Sequence, residues 1–389
     1  MNSIARIFVA KAARVFVFGL VSVITPIYLE ALGYPPLLVG VCLAAMIGGS
    51  AFSNVILVSF EDRVGRRRFL LLFSLLMLAS GVLLFSTSIL VVILFACFIG
   101  NISTTGTEAG PFQSVEAGVL PTLVSSEQFN RSFGVYNMIG YSAASIGAFA
   151  ASAPTYFQNS LFVFRVLYLL FGLVGLLLVV LYWRLKGLES RPPESLGAAE
   201  LSQEAKKDVT TLSALFSIDA FGGGFVSQSL LVYWFSLVYG VSLGDLAIIF
   251  LVVNTITAVS TLGATYLADR IGNLRTMVYT HLLSNVFLVL IPLAGALAGA
   301  LFFLFARQSV SQMDVPTRQA FMAGIFTDQD RVQAFATTNT ARIISSVPGS
   351  PVTGALLAAG MSSAPLLIAG LSKIVYDGLI FTLYRKRAR

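Results

Sequence analysis

The sequence predicts an all-α integral membrane protein with twelve transmembrane helices in two pseudo-symmetric bundles of six. Three observations predict this fold class. The 389 residues are 57% hydrophobic and 11% charged, with a mean hydropathy of +0.86, which is more than a soluble domain needs to bury a core. Apolar windows long enough to cross a bilayer recur along the whole chain, and a charged motif recurs once at a fixed distance.

Twelve apolar windows are separated by charged residues or by clusters of glycine and proline. None alternates like a membrane β-strand, and a lipid-exposed segment must satisfy its own backbone hydrogen bonds, so each window is expected to be a helix. The windows cover residues 12–32, 37–59, 69–87, 89–108, 132–155, 162–184, 211–236, 245–267, 275–295, 297–315, 333–358 and 364–384. A polar stretch, 186–209, is interpreted as a cytoplasmic linker between two six-helix halves, 1–185 and 210–389.

Lysine and arginine collect in the loops on one side of the predicted membrane and are absent from the loops on the other. This distribution predicts a multi-pass protein of the inner (plasma) membrane with both termini in the cytoplasm. The formal net charge of +7 could suggest nucleic acid, but basic residues in short loops act as topology signals, so no nucleic-acid partner is expected. The residues on the basic side are Arg6, Lys11, Arg63, Arg66, Arg67, Arg68, Arg131, Arg184, Lys186, Arg191, Lys206, Lys207, Arg270, Arg275, Arg318, Arg331, Arg385, Lys386, Arg387 and Arg389.

The loop after the second window, residues 60–68, carries six charges between two apolar runs. Glycine at position 65 permits a tight turn there. A weaker copy, Asp269-Arg270-Ile271-Gly272, follows 207 positions later, and Gly33 and Gly240 are separated by the same distance. A constant offset indicates duplication of one half of the chain.

Pairs of small residues four positions apart occur in the second, fifth, eighth and eleventh windows. Such pairs share one helix face and let two helices approach closely. We expect them at helix–helix contacts, either as general tight packing or as an interface that slides. The pairs are Ala45 with Gly49, Ala143 with Gly147, Ser260 with Ala264, and Ser345 with Gly349.

The loop after the second window resembles the signature loop of the major facilitator superfamily, Gly-x-Leu-x-Asp-Arg-x-Gly-Arg-Arg. Asp62, Arg63, Gly65, Arg66 and Arg67 match this pattern. Valine and phenylalanine replace its first glycine and its leucine, and the copy in the second half keeps the leucine but has Asn-Leu instead of the basic pair. Segments such as residues 110–113 and 280–285 resemble a prokaryotic branch of the superfamily.

The resemblance implies a monomeric secondary transporter that moves a small molecule by alternating access between two bundles. It also implies that spans one, four, seven and ten line a central cavity and that the signature loops form a cytoplasmic gate. Asp62 is expected to engage the start of span eleven near Arg331, more strongly than the eroded copy engages its own partners. The gate residues implied are Asp62, Arg63, Gly65, Arg66, Asp269, Arg270, Gly272, Glu108, Asp314 and Arg331.

Two charged residues inside predicted spans are candidates for substrate contact or proton coupling. A charge within the bilayer costs roughly 2.5–3.5 kcal/mol on insertion scales, so each needs a function or a partner. Asp219, just before Gly222-Gly223-Gly224 in span seven, could bind and release a proton or form a structural salt bridge with an arginine such as Arg14. Arg307 in span ten could receive an anionic group or act as counter-ion to Asp219.

Polar side chains in spans four and ten could also contact substrate, although such residues often serve only to hold helices together. They are Asn101, Thr105, Gln308 and Gln312. His281 is expected to have a packing role, and Lys373 and Asp377, four apart in span twelve, are expected to neutralise each other.

No enzyme chemistry, cofactor or metal site is expected. The sequence contains no Walker-type phosphate loop, nucleophile elbow or cluster of metal ligands. Cys42 and Cys97 are interpreted as small buried hydrophobic residues. The sequence thus favours a secondary transporter with no cofactor, in which a small-molecule substrate, the proton and the lipid bilayer are the partners.

The working hypothesis is proton-coupled efflux of a small amphipathic or drug-like compound, because the chain is apolar and aromatic-rich with few charges in its spans. One alternative is uptake or exchange of a small organic anion held by Arg307. A remote alternative is a membrane sensor or scaffold that transports nothing.

Overall fold

In the computed structural model α-helices and short 3₁₀ turns are joined by short irregular segments. The structure describes residues 3–107, 110–123, 129–157, 160–185 and 202–386. Sixteen α-helices and two short 3₁₀ turns, Ala153–Tyr156 and Ile291–Leu293, occur in these ranges. The helices are α1 (Ser3–Ala31), α2 (Pro36–Val64), α3 (Arg66–Ser86), α4 (Leu90–Ile99), α5 (Pro111–Leu123), α6 (Phe129–Ala150), α7 (Ser160–Trp183), α8 (Gln203–Gly224), α9 (Gln228–Tyr239), α10 (Leu243–Ile271), α11 (Asn273–Leu290), α12 (Leu297–Gln308), α13 (Asp314–Ile325), α14 (Asp328–Ser346), α15 (Gly349–Ala358) and α16 (Ala364–Tyr384).

Each of the twelve predicted windows contains helix, which confirms the all-helical membrane fold class. Within the described residues, 8 helical stretches are long and apolar enough to cross a bilayer. Two more, α4 and α12, are apolar but shorter. These two begin spans four and ten, which are not continuous.

Four spans are broken into two helices each, which hydropathy did not predict. The pairs are α4 with α5, α8 with α9, α12 with α13, and α14 with α15. The predicted helices 89–108 and 297–315 are therefore wrong beyond Ile99 and Gln308, where the backbone leaves the helix. The second helices of these spans, α5 and α13, were not predicted because their charged and polar residues lower the local hydropathy.

The break in span four follows from its sequence. Between Gly100 and Gly110 the residues are mostly Asn, Ser, Thr and Gly, whose side chains or flexible backbone compete with helical hydrogen bonding. Ser103 Oγ donates to the carbonyl of Thr107 at 2.5 Å. Asn101 and Gly106 have φ of 50° and 71°, in the left-handed region that ends a helix.

Span seven begins earlier than predicted, at Gln203 instead of residue 211. Ser202 caps α8, because its hydroxyl accepts a hydrogen bond from the amide of Ala205 at 3.1 Å. The last residues of the predicted linker are therefore the first two turns of a helix. Residues 186–201 lie outside the described residues.

The helices form two compact units whose bounds are Met1–Glu194 with Ser227–Asn254, and Ser195–Val226 with Thr255–Arg389. In the first unit α1 packs against α6 and α7, and α3 packs against α7. In the second unit α8 packs against α14 and α16, and α11 packs against α16 and α13. The division at residues 186–209 stays a prediction.

The predicted internal repeat is visible in the helix boundaries. Helices α2 and α10 both have 29 residues, and both of their ends are separated by the offset of 207 residues found in the sequence. Gly65 and Gly272, which follow these helices, have nearly the same backbone angles, φ 89° and ψ 141° against φ 86° and ψ 157°. Glycine suits this left-handed joint because it lacks a Cβ.

Two residues counted with the basic loops are buried within helices. Lys11 is 4% exposed and Arg318 is 7% exposed, so the prediction that these two residues lie in the basic loops is wrong. Cys42 and Cys97 are both buried free thiols, as predicted.

Small residues lie where helices cross closely, as predicted, for three of the four pairs. A Cβ on Gly349 of α15 would strike the carbonyl carbon of Gly224 in α8. A Cβ on Gly147 of α6 would strike the backbone of Phe16 in α1, and one on Gly49 of α2 would strike that of Phe98 in α4. In α3, a Cβ on Gly81 would lie 2.6 Å from the carbonyl oxygen of Tyr168 in α7. Backbone cannot move aside as a side chain can, so these crossings exclude larger residues.

Gly81→Ala is expected to destabilise the fold by about 1–3 kcal/mol, because overpacking forces α3 and α7 apart. The measurement is thermal unfolding of the purified protein in detergent. Gly378→Ala is the matched control, since no atom lies within 4 Å of an added Cβ there. Alanine favours the helix at that position by up to about 1 kcal/mol, so the control should melt no lower than the parent. Equal melting of Gly81→Ala and the parent would contradict the crossing.

Candidate functional site

The first unit contains a buried ion pair between α1 and α5. Arg14 Nη2 lies 2.6 Å from Glu116 Oε2, and Nη1 donates to Glu116 Oε1 at 3.2 Å. The side chains are 0% and 1% exposed. This two-pronged geometry is the strongest that guanidinium and carboxylate can form.

Two tyrosines complete this pair and tie it to α6 and α7. Tyr136 donates to Glu116 Oε2 at 2.7 Å, and Tyr182 donates to Glu116 Oε1 at 2.6 Å. The Arg14 guanidinium also donates to the Tyr182 hydroxyl and lies 4.8 Å from the centre of the Phe112 ring. Every oxygen of the carboxylate is bonded, which is the condition under which a buried pair holds a fold together.

The second unit contains a larger charged cluster, which centres on Asp219 in α8. Its carboxylate is 2.6 Å from Lys373 Nζ and 3.4 Å from Arg342 Nη2. It is 3.4 Å from His281 Nε2 and 3.6 Å from Arg318 Nη1. Asp219 thus faces one basic group from each of four helices, and only the lysine lies at the length of a strong charged hydrogen bond.

A second carboxylate, Asp377 of α16, extends the cluster through the histidine. His281 Nδ1 lies 2.7 Å from Asp377 Oδ1. Asn285, one turn along α11, donates to Asp377 Oδ2 at 2.9 Å. A third carboxylate, Asp314, accepts from Arg318 Nη1 at 2.9 Å, so the cluster joins α8, α11, α13, α14 and α16.

The prediction that Lys373 and Asp377 neutralise each other is wrong. They share a face of α16, but Lys373 bonds Asp219 and Asp377 bonds His281. Asp219 is therefore paired within its own unit, and Arg14, considered as its partner, pairs with Glu116 instead. Side chains on neighbouring helices, a carboxylate for Lys373 and an imidazole for Asp377, take the place of the i, i+4 partner.

The two halves place opposite charges at corresponding positions. In the first half the first helix carries the arginine and the second helix of span four carries the carboxylate. In the second half α8 carries the carboxylate, Asp219, and the second helix of span ten carries Arg318. Arg14 and Asp219 are 205 positions apart, and Glu116 and Arg318 are 202 apart, close to the repeat of 207.

The break in span four holds the candidates Asn101 and Thr105. Asn101 is 4% exposed, and its side-chain oxygen has no hydrogen-bond partner in the described part of the chain. Thr105 is exposed and donates to the carbonyl of Thr107 at 3.1 Å. Asn101 is therefore a buried polar residue at the start of the break, and Thr105 is an exposed one just before Gly106.

The start of α9 is bonded to this break and to α1, all within the first unit. The amide of Ser229 donates to the carbonyl of Thr104 at 3.0 Å. The hydroxyl of Ser229 donates to the backbone carbonyl of Ser22 at 2.7 Å. Gln228 Nε2 donates to Ser22 Oγ at 2.8 Å. Ser22 and Ser229 are 207 positions apart, so this contact joins repeat-related residues.

The break in span ten holds the candidates Arg307, Gln308 and Gln312. Gln308 is buried and donates to Thr257 Oγ1 of α10 at 2.6 Å. Arg307 is half-buried, donates to Gln308 Oε1 at 3.2 Å and has a buried Nε without a partner. No carboxylate of the described residues lies within ion-pair distance of Arg307. Gln312 is half-buried in the turn before α13.

The gate candidates are described unevenly. Arg63 is exposed in the last turn of α2, and Arg66 is half-buried at the start of α3. Asp269 is exposed, and Arg270 lies over the ring of Tyr266 at 4.4 Å. Asp314, predicted for the gate, belongs to the Asp219 cluster. Glu108 lies outside the described residues, as do the side chains of Asp62 and Arg331.

Comparison with known families decides the identity. A profile of the Major Facilitator Superfamily matches residues 7–310, most of the chain. The chain belongs to the major facilitator superfamily. This membership confirms the resemblance of the signature loop and makes the chain a multi-pass membrane transporter by family.

Relatives of this superfamily member agree with the assignment. An uncharacterized membrane protein of Saccharomyces cerevisiae is 23% identical over 383 residues, which cover 88% of this chain and 85% of the yeast protein. Among solved structures, a D-xylose-proton symporter has a TM-score of 0.78 at 14% identity, covering 98% of this chain and 97% of its own. The nucleoside transporter NupG has a TM-score of 0.79 at 9% identity, covering 98% and 100%. At these identities the structures share the fold alone.

Sequence reasoning missed the roles of Glu116 and His281. Glu116 lay between two predicted windows and was not considered, although an acidic residue flanked by Phe112, Val115 and Val119 is a signal of burial. His281 was noticed as the single histidine but was given a packing role. Its two carboxylate partners are 62 and 96 positions away, too far for any local pattern.

Glu116→Ala is expected to destabilise the transporter by about 3–5 kcal/mol, because it leaves the guanidinium of Arg14 buried without its carboxylate. The measurement is the melting temperature of the purified protein in detergent. Glu116→Gln keeps an acceptor oxygen and should lose less stability than Glu116→Ala. The double variant Arg14→Gln/Glu116→Gln should recover part of the lost stability, because it also removes the buried positive charge. A melting temperature of Glu116→Ala equal to the parent's would show that the pair does not hold these helices.

Proposed function

We propose that this transporter works by alternating access and couples export of a small amphipathic or drug-like compound to protons through Asp219. The observation that carries the proposal is the sharing of one buried carboxylate by four basic groups. Only Lys373 bonds Asp219 at 2.6 Å, while the other three basic groups lie 3.4–3.6 Å away. A carboxylate with several near partners can exchange one for another when a proton or a substrate arrives.

The position of Asp219 supports coupling to movement. It lies five residues before the end of α8 at Gly224, and the chain passes from one compact unit to the other just beyond, between Val226 and Ser227. Gly222 packs against Ala369 and Lys373 of α16. A change in the hydrogen bonds of Asp219 therefore acts on the end of α8, close to the point where the chain enters the other unit.

The chemical class of the substrate rests on the sequence and on the two breaks. Apolar helices with few unpaired charges suit an amphipathic compound, and hydrogen-bonding groups are concentrated where spans four and ten are open. Export is the direction favoured by the sequence hypothesis. The basic loops support cytoplasmic termini in the inner membrane, with the signature loops as the cytoplasmic gate.

Asp219→Asn is expected to abolish substrate accumulation driven by a pH gradient while leaving exchange of substrate across the membrane, because exchange needs no net proton movement. The measurement uses everted vesicles and proteoliposomes with a panel of fluorescent amphipathic compounds. Vesicles of opposite orientation separate export from uptake.

Asp245→Asn is the matched control, since Asp245 is exposed in the first turn of α10 and bonds only locally with Ser242. It should transport like the parent. The proposal fails if no panel compound responds to the pH gradient in the parent. It also fails if Asp219→Asn keeps gradient-driven accumulation.

A second candidate function is transport of a small organic anion. One observation favours it: Arg307 is half-buried beside the break in span ten with an unpartnered Nε, and no described carboxylate is within ion-pair distance. An arginine in this condition can bind a carboxylate or phosphate group with two parallel hydrogen bonds. Such a substrate would supply the missing partner.

Arg307→Gln is expected to lose stabilisation by organic anions if this second function holds, whereas Arg307→Lys should keep part of it through its charge. The measurement is thermal shift against a panel of carboxylates and organic phosphates. Arg165→Gln, in which a half-buried arginine bonded to Ser88 is removed, is the control and should respond like the parent. Equal anion shifts in all variants would exclude Arg307 as the anion site.

A further inference from the structure

His281 lies between two carboxylates in the second unit. Its Nδ1 is 2.7 Å from Asp377 Oδ1, and its Nε2 is 3.4 Å from Asp219 Oδ1. The imidazole is 7% exposed and lies nearly perpendicular to the Tyr376 ring, with 5.7 Å between the ring centroids. Nε2 therefore faces an oxygen atom that only accepts hydrogen bonds when ionised. Nδ1 faces another such oxygen, and it also lies 3.1 Å from Asn285 Nδ2.

The number of protons on the ring decides how many of these contacts are hydrogen bonds. A neutral imidazole has one N–H group and can donate to one carboxylate, whereas an imidazolium has two and can donate to both. The site thus has one stable arrangement with a proton bound and another without it, and the two differ by a single N–H bond.

The geometry indicates which nitrogen exchanges its proton. The contact of Nδ1 with Asp377 is short, and Asn285 Nδ2 donates to the other oxygen of that carboxylate at 2.9 Å. Because the carboxylate of Asp377 only accepts hydrogen bonds, its short contact favours the tautomer that carries the proton on Nδ1. The contact of Nε2 with Asp219 is longer, so its loss costs less and leaves Asp219 with Lys373 at 2.6 Å.

The surrounding charges balance without a proton on the histidine. The three carboxylates face three permanently basic side chains, so protonation adds one positive charge that the cluster must share. Arg342 is the most exposed of the ion-pair members, at 27%, and is 3.4 Å from Asp219. The single charged residue of α12, Arg307, bonds Gln308 instead. The charged and titratable groups that face His281 from the neighbouring helices are Asp219 of α8, Asp314 and Arg318 of α13, Arg342 of α14, and Lys373, Tyr376 and Asp377 of α16.

We propose that His281 Nε2 is the site that binds the coupling proton, with Asp377 as the residue that fixes the ring and Asp219 as the carboxylate that responds. This inference rests on the proposed proton coupling and assigns it to a particular atom. Uptake forms one N–H bond with a proton taken from water, and release returns that proton to water. When the imidazolium binds Asp219, Arg342 is free to leave it; when the ring is neutral, Arg342 is needed there.

The first test follows the proton directly. The chain contains one histidine, so full-length protein labelled with ¹⁵N-histidine and purified through a tag without histidine gives imidazole signals from this residue alone. These signals distinguish a ring nitrogen that carries a proton from one that does not. We expect the Nε2 signal to respond to pH while the Nδ1 signal keeps the form of a protonated nitrogen, and we expect that response to differ in Asp219→Asn and in Asp377→Asn.

The second test uses transport in proteoliposomes. His281→Gln should reduce the accumulation of substrate driven by a pH gradient by about tenfold or more. A tenfold change corresponds to about 1.4 kcal/mol of lost coupling free energy. Exchange of substrate without a gradient should continue. Thr280→Val is the matched control, because this neighbouring buried hydroxyl bonds only the carbonyls of Thr276 and Met277 in its own helix. This variant should accumulate substrate like the parent.

The results separate the two levels of the proposal. A parent protein that shows no gradient-driven transport overturns proton coupling itself, before any variant is compared. Gradient-driven transport that survives in His281→Gln, or an Nε2 signal that does not respond to pH, overturns the assignment to His281. Proton coupling itself is then decided by the Asp219→Asn variant. An Nε2 signal that responds to pH, together with loss of gradient-driven transport in His281→Gln, supports the assignment.

Discussion

The cost of placing ionised groups inside a membrane is the constraint on which both units depend. Inserting one charged side chain into the bilayer costs a few kcal/mol. Each buried charge therefore needs compensating contacts on neighbouring helices. In the first unit one arginine and one glutamate meet this condition with two tyrosines, and four helices are held at fixed distances by one carboxylate. In the second unit three acids, three bases and a histidine are spread over five helices.

These two arrangements suit different roles. A pair in which every oxygen is bonded at 2.6–3.2 Å has no second arrangement of similar energy, so it stabilises one packing of its helices. The carboxylate of Asp219 has one short and three long contacts to basic groups, so three further partners lie within reach of it. The two clusters occupy corresponding positions of a duplicated architecture with their charges reversed, and the proposed coupling rests on the larger cluster of the second half.

The sequence predicted the parts of this fold that depend on local composition. Hydropathy located all twelve spans, and the offset of 207 residues indicated a duplication. The nearly equal backbone angles of Gly65 and Gly272, which follow equivalent helices, agree with that duplication. The breaks were missed because averaging over about 20 residues hides a few residues that leave the helix, as at Asn101. The pairings of Glu116 and His281 depend on which helix faces which, and no local pattern records that. Lys373 and Asp377 show the same limit, since correct spacing on one helix gave the wrong partners.

The two cysteines have a practical consequence for observing this transporter at work. Both lie inside helix packing, at 0% and 1% exposure, so thiol reagents in water do not reach them in the folded protein. A cysteine introduced at an exposed position such as Thr105 would then take up a spectroscopic label while the two native cysteines stay unlabelled. The native cysteines would not need to be replaced first. The open segment of span four thereby becomes a place from which the motion of this helix could be followed in real time.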